Sequence, residues 1–104
     1  MLRAKTARVL TEVELVKVAG QFRLLSEPMR LKILQALCAG PLAVGEIVAA
    51  TGATQSNVSK HLALLSSAGI ITRHKDGQFV YYGMNNPLTL KLCELVHKEL
   101  LKQS

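Results

Sequence analysis

The sequence predicts a small, mainly α-helical domain with one β-hairpin: four helices, two strands and a closing helix. Three observations predict it. Apolar residues recur at helical spacing in four consecutive segments up to Gly69. From Ile70 to Met84 the composition turns to β-branched and aromatic residues on either side of Asp76-Gly77, a pair that accepts positive φ and marks a hairpin. After Asn85-Asn86-Pro87 the helical spacing returns.

Thr11 is expected to cap the first helix, with Glu12 and Glu14 complementing its dipole in the first turn. Leu15, Val18, Ala19, Phe22 and Leu25 form its apolar stripe, and Gly20 allows a neighbour to approach closely. Ser26-Glu27-Pro28 reads as a second start, with a hydroxyl cap, an acid and a proline in the first turn. Leu31, Ile33, Leu34, Leu37 and Cys38 are its expected buried side, and Gly40-Pro41 stops it. A third helix is expected from Leu42 to Thr51, weakly capped by Ala43, with Val44, Ile47 and Ala50 inward and Gly52 at its end. Thr54 caps a fourth that runs to Gly69, with Val58, Leu62, Leu64 and Leu65 apolar and Gln55, Ser56, Asn57, Ser59 and Lys60 on the polar side. The strands are expected over Ile70–His74 and Gln78–Met84, with one of Tyr81 and Tyr82 packed inward and the other outward. On the last helix Leu88, Leu92, Leu95, Val96 and Leu100 are apolar, while Lys91, Glu94, Lys98, Glu99 and Lys102 make a solvated face.

A chain of 104 residues is one domain or one protomer of an oligomer. With 49% hydrophobic and 19% charged residues it is no disordered tail. The opening MLRAKTARVLTEVE lacks the apolar core of a signal peptide, and the uncharged run from Ile33 to Gly45 is too short to span a membrane. Two cysteines make no disulfide framework, so the cytoplasm is the expected compartment, with no membrane partner. The net charge of +6 points to an acidic polymer. That charge is spread over a basic N-terminal arm, residues 1–10 with Arg3, Lys5 and Arg8, and over the domain at 11–104, where Lys60, Arg73 and Lys75 stand out.

Two short helices joined through Thr51-Gly52-Ala53, the second with a polar leading end, form a helix-turn-helix, and the hairpin behind it is placed as a wing. Gln, Asn and Ser side chains can read base edges, and Lys60 can reach phosphate. The leading residues of such a helix meet the bases, which makes Thr54, Gln55, Ser56, Asn57, Ser59, Lys60 and His61 the candidate DNA-reading set. Arg73, His74, Lys75, Gly77 and Gln78 are the candidate wing contacts. A polar helix start alone is only a solvated end, and a charged hairpin tip alone only keeps an edge soluble. Their succession favours DNA. His61 has two open roles, touching phosphate or bridging helices through a hydrogen bond.

LLSEPMRLKILQAL, VGEIVAATGATQSNVSKHLALLSSAGII and the wing RHKDGQFVYYGM resemble the arsenical-repressor (ArsR/SmtB) family of bacterial winged-helix repressors. The resemblance covers residues 20–85, and QSNVSKHL is its most specific part. It implies a winged helix-turn-helix, with Gln55, Ser56, Ser59 and His61 on the recognition helix and residues 73–78 as wing. It also implies a homodimer held by the first and last helices, bound to a double-stranded DNA operator and released by a small inducer. This agrees with apolar faces on those helices that one small domain cannot cover.

The family's metal sites are not repeated here. Where members that sense arsenicals or lead-type metals carry Cys-x-Cys at the start of the third helix, this chain has Leu42-Ala43-Val44-Gly45-Glu46. Where zinc-type sensors place Asp, His and Glu on the last helix, it begins with Asn85-Asn86-Pro87. Cys93 and His97, four apart on one helical face, are a candidate metal or metalloid pair to be completed across a dimer, or simply a buried thiol beside a histidine. Cys38 and Cys93 are candidate sensor thiols, a pair that needs its Cα atoms within ~7 Å to bond. The open cofactors are thus a metal or metalloid ion, or a thiol modification.

No cluster of nucleophile, base and orienting group stands in a recognisable frame, and there is no Gly-rich phosphate loop, so an enzyme is not expected. The expected function is a DNA-binding transcriptional regulator, a homodimeric repressor of an inverted-repeat operator. The rival readings are a winged-helix protein-interaction module and a family repressor without an inducer site.

Overall fold

The structure, a computed structural model, describes residues 9–103. Arg3, Lys5 and Arg8 of the expected N-terminal arm lie outside the described residues. The elements are α1 (Glu12–Leu24), α2 (Pro28–Ala36), β1 (Leu42–Ala43), α3 (Val44–Thr51), α4 (Gln55–Ser67), β2 (Ile71–Asp76), β3 (Phe79–Met84) and α5 (Leu88–Gln103). The strands form one antiparallel sheet in the order β1-β3-β2.

Local chemistry explains most of the boundaries. Thr11 and Glu14 close a reciprocal capping box on α1: the Thr11 hydroxyl accepts from the Glu14 amide (3.2 Å), and the Glu14 carboxylate from the Thr11 amide (2.9 Å). Ser26 does not cap α2 as expected. Its hydroxyl donates back to the Arg23 carbonyl (2.7 Å), closing the end of α1, and α2 starts on Glu27 with Pro28, whose missing N–H leaves nothing unsatisfied in the first turn. After a 3₁₀ turn at Leu37–Ala39, Gly40 at φ 146° and Pro41 redirect the chain.

Leu42-Ala43, expected as the opening of the third helix, is instead a two-residue strand that pairs with Tyr82 and Tyr81 of β3. Helix α3 therefore begins at Val44. Ala43 has no side-chain acceptor, but Glu46 reaches back to the Ala43 amide (2.9 Å) and satisfies one end donor. The hairpin loop is shifted by one residue from Asp76-Gly77. Asp76 pairs with Phe79, which leaves Gly77-Gln78 as the loop. Only Gly77 takes positive φ (64°), the pattern of a type II′ turn with glycine first. At the root of the hairpin, Asn85 donates its amide to the Ile70 carbonyl (3.2 Å) and its side-chain Nδ2 to the Gly69 carbonyl (2.9 Å).

The core lies where α2, α3 and α4 meet the sheet: Ile33, Leu34, Leu37, Ile47, Val58, Leu62, Leu65, Ile70 and Ile71. Each such side chain contributes about 1.5–3 kcal/mol relative to exposure. Four residues expected inside are exposed, namely Leu31 and Cys38 on the second-helix segment, Ala50 on α3 and Leu64 on α4. Leu31 and Cys38 line a groove against α5 instead, and on α4 His61 takes a place on the buried face. Tyr81 and Tyr82 are both half-buried; Tyr82 packs on the core, and both line a hollow with Pro41, Thr72 and Gly83.

Helices α1 and α5 bury no residue completely within this chain. The molecule measures 52 × 35 × 21 Å with a radius of gyration of 16.1 Å, against about 13 Å for a compact chain of this length. Among the described residues no helix is long and apolar enough to cross a membrane.

Gly52, at φ 74°, forms the corner between α3 and α4, and a Cβ there would meet no atom within 4 Å. Gly52→Ala is therefore expected to destabilise by backbone conformation alone, about 1–2 kcal/mol, read as a lower urea midpoint with an unchanged m-value.

Candidate nucleic-acid interface

The corner between α3 and α4 is tied by short-range hydrogen bonds. The Gly52 amide returns to the Val48 carbonyl (2.8 Å), and the Thr51 hydroxyl donates to the Ile47 carbonyl (2.8 Å). The Thr54 hydroxyl accepts from the Asn57 amide (3.2 Å), so the cap expected at Thr54 is present and its hydroxyl is engaged in holding the helix start. At the far end Gly69, at φ 78°, closes α4: its amide reaches Ser66 and that of Ile70 reaches Leu65, both at 3.0 Å, a Schellman arrangement.

Val58, Leu62 and Leu65, spaced by four and three, are buried, which turns the opposite side of α4 outward. Thr54, Gln55, Ser56, Asn57, Ser59 and Lys60 are all exposed there. This leading end carries hydroxyl, amide and ammonium groups and no acid. It can donate and accept hydrogen bonds and meet a polyanion without repulsion.

His61 stands apart from that set. It is only 8% exposed, and its Nδ1 accepts from Arg30 Nε–H at 3.1 Å. Of its two open roles, the structure displays the helix-bridging one. Arg30 also donates through its Nη1 to the carbonyl of Leu24 (3.2 Å), the last residue of α1. Sequence reasoning passed over Arg30. The signal was its place one turn before Ile33 and Leu34, where a cation on the buried side of a helix needs a partner.

In the wing, Arg73, His74, Lys75, Gly77 and Gln78 are exposed, with Arg73 opposite Tyr82 and Lys75 opposite Val80. Directly opposed residues share a face, so the aliphatic stems of both cations run beside an aromatic and a branched side chain. Strand β2 is a sheet edge whose residues beyond Ile71 are all exposed.

The sensor candidates are brought to one place. Cys38, at the end of the second-helix segment, and Cys93 on α5 line one groove with Gln35, Glu94 and His97. Both are free thiols, Cys38 exposed and Cys93 half-buried. Among the described residues no group of three or more His, Cys, Asp and Glu side chains is disposed to hold a metal ion, so Cys93 and His97 remain a two-ligand set within one chain.

The chain is similar to known proteins over most of its length. The family model described as "Bacterial regulatory protein, arsR family" matches residues 27–73, from the start of α2 into the wing. The cadmium resistance transcriptional regulatory protein CadC of Listeria innocua is 38% identical over 94 residues, 89% of this chain and 77% of that protein. The crystal structure of the AntR antimony-specific transcriptional repressor superposes with a TM-score of 0.80 at 28% identity, covering 97% of this chain and 94% of that one. The homodimeric winged helix-turn-helix DNA-binding domain of a possible ArsR-family regulator from Mycobacterium bovis gives 0.74 at 28% identity, covering 90% of each chain. With the capped recognition helix, the glycine corner and the adjoining wing in place, these likenesses make the chain a member of the arsR family of bacterial regulatory proteins, a winged helix-turn-helix DNA-binding transcriptional regulator and not an enzyme.

Proposed function

We propose that the chain works as a cytoplasmic homodimeric repressor that reads an inverted-repeat operator through α4 and the wing. The observation that carries the reading is the exposed, acid-free leading end of α4 followed by a wing bearing Arg73 and Lys75. Gln55, Ser56, Asn57 and Ser59 supply the donors and acceptors for base edges, and Lys60, Arg73, His74 and Lys75 face phosphate. Thr54 contributes through its cap, Gly77 and Gln78 through the shape of the wing tip, and the N-terminal residues 1–10 add a basic arm to the domain at 11–104.

The dimer reading rests on the apolar surface of α1 and α5. Val13, Val16 and Phe22 on one, and Leu88, Leu95 and Val96 on the other, are all more than half exposed in the single chain. Phe22, Leu31, Leu92 and Val96 border a continuous apolar groove. A second copy would cover it and account for the elongated shape.

The inducer reading rests on the groove that holds Cys38 and Cys93. Two free thiols, one of them exposed, suit a thiophilic or thiol-oxidising species. CadC is named for cadmium resistance and AntR for antimony, agents of the same thiophilic kind.

Gel shifts on the promoter of its own operon test the DNA reading. A two-fold dimer is expected to protect half-sites about 34–36 Å apart, or a multiple of that. Ser56→Ala is expected to relax sequence preference, whereas Lys75→Ala weakens all duplexes alike and lowers the salt slope by about 1 for each phosphate left unneutralised. Binding that is flat with salt would favour a protein partner instead. Sedimentation is expected to show a dimer at micromolar concentration, and Leu95→Glu should shift it toward monomer with a parallel loss of operator affinity. For the inducer, arsenite or diamide is expected to release the wild-type protein from DNA and to leave the Cys38→Ser, Cys93→Ser double variant bound.

A further inference from the structure

The side chain of Arg30, on α2, reaches two other helices through hydrogen bonds. Its Nε–H donates to His61 on α4, and its Nη1 donates to the carbonyl of Leu24 at the end of α1. The three helices have different surroundings. α1 lies outside the core, α2 is part of it, and α4 presents the polar face to the exterior.

We propose that Arg30 is a positioning residue for DNA reading: with His61 it forms a joint through which the end of α1 sets the orientation of α4. This rests on the reading of α4 as the recognition helix, and goes beyond it by assigning function to two groups that do not face the DNA side.

The chemistry favours such a joint over a merely convenient contact. A guanidinium is planar, and its Nε–H and Nη–H groups point in fixed directions, so two simultaneous bonds fix the distance and the angle between their acceptors. Both acceptors are suited to it. The Leu24 carbonyl belongs to the last turn of α1, where carbonyls lack helical partners and the dipole favours a cation. His61 Nδ1 is the acceptor, and His61, only 8% exposed, has little freedom to turn away. His61 lies on the same helix as Ser56 and Ser59, two turns or less from each, so a rotation at His61 is carried by a rigid rod to the leading end. Arg30 also borders a pocket with Gly20, Arg23, Ser26, Glu27 and Leu64, so its surroundings are drawn from α1, the start of α2 and α4 together.

The test uses the full chain and three variants. Arg30→Met keeps an unbranched apolar stem and removes every donor. His61→Leu removes the acceptor. His61→Asn keeps an acceptor near the place of Nδ1. Residual dipolar couplings of the DNA-free protein report the angle of α4 against α2, and competition gel shifts report the ratio of operator to unrelated-duplex affinity. Arg30→Met and His61→Leu are each expected to change the couplings of α4 amides and to lower the ratio about tenfold, with the affinity for unrelated duplex unchanged. Combining them should lower the ratio no further than Arg30→Met alone, because that variant has already lost the bond to His61 together with the bond to Leu24. His61→Asn should restore both readouts. Unaltered couplings and ratio in folded Arg30→Met would overturn the joint, as would additive losses in the double variant. A wild-type protein that does not discriminate the operator overturns the reading of α4 instead, and the couplings still decide whether the joint exists. If Arg30→Met does not fold, His61→Asn against His61→Leu decides the same question through the same two readouts.

Discussion

Helix α4 must satisfy two solvents at once, and the rest of the molecule is arranged around that constraint. Burying Val58, Leu62 and Leu65 against Ile33, Leu34, Leu37 and Ile47 holds the helix in place. The same 3.6-residue period then leaves Gln55, Ser56, Ser59 and Lys60 outside. Neither face is free to change alone, since a rotation that exposed Leu62 would turn the polar set inward. The glycine corner before α4 and the Schellman closure after it limit that rotation at both ends. Precision on the outer face is therefore inherited from apolar packing on the inner one.

The core that does this is small, and α1 and α5 lie outside it. The division separates two kinds of apolar surface. One is buried within the chain and makes it fold; the other is left on two helices, with charge on the remaining face, where Glu99 and Lys102 pair at 3.3 Å in full view of solvent. An exposed pair of that kind adds under 1 kcal/mol and serves solubility more than stability. Between the two surfaces lies the groove lined by Cys38 and Cys93, one at the end of the second-helix segment and the other on α5.

Much of this was legible in the sequence because the strongest local signals coincide with real boundaries. Thr11, Thr54, Gly52 and Gly69 act where their chemistry says they should. The failures share a cause: each was decided by a partner distant in sequence or by the register of the sheet. Leu42-Ala43 extends as a strand because β3 offers it a free edge, which no local pattern announces. The loop moved to Gly77-Gln78 because the register aligns Asp76 with Phe79. Ser26 commits its hydroxyl to the preceding helix. The polar face of the candidate site was readable residue by residue from its period. The inward place of His61 follows from the same period, three after Val58 and four before Leu65, but its partner does not, because Arg30 lies thirty-one positions away.

The two bonds from Asn85 to Gly69 and Ile70 close the hairpin at its root, sixteen and fifteen residues back in sequence. They separate the wing into a foundation and a replaceable tip. The foundation, with Ile71 and Met84 paired above it, belongs to the core and tolerates little change. The tip from His74 to Gln78 is exposed throughout, so its residues can be exchanged without disturbing what lies beneath. In this architecture the exposed tip can drift in sequence while the part that folds stays put, so the surface the wing presents changes from the outside in.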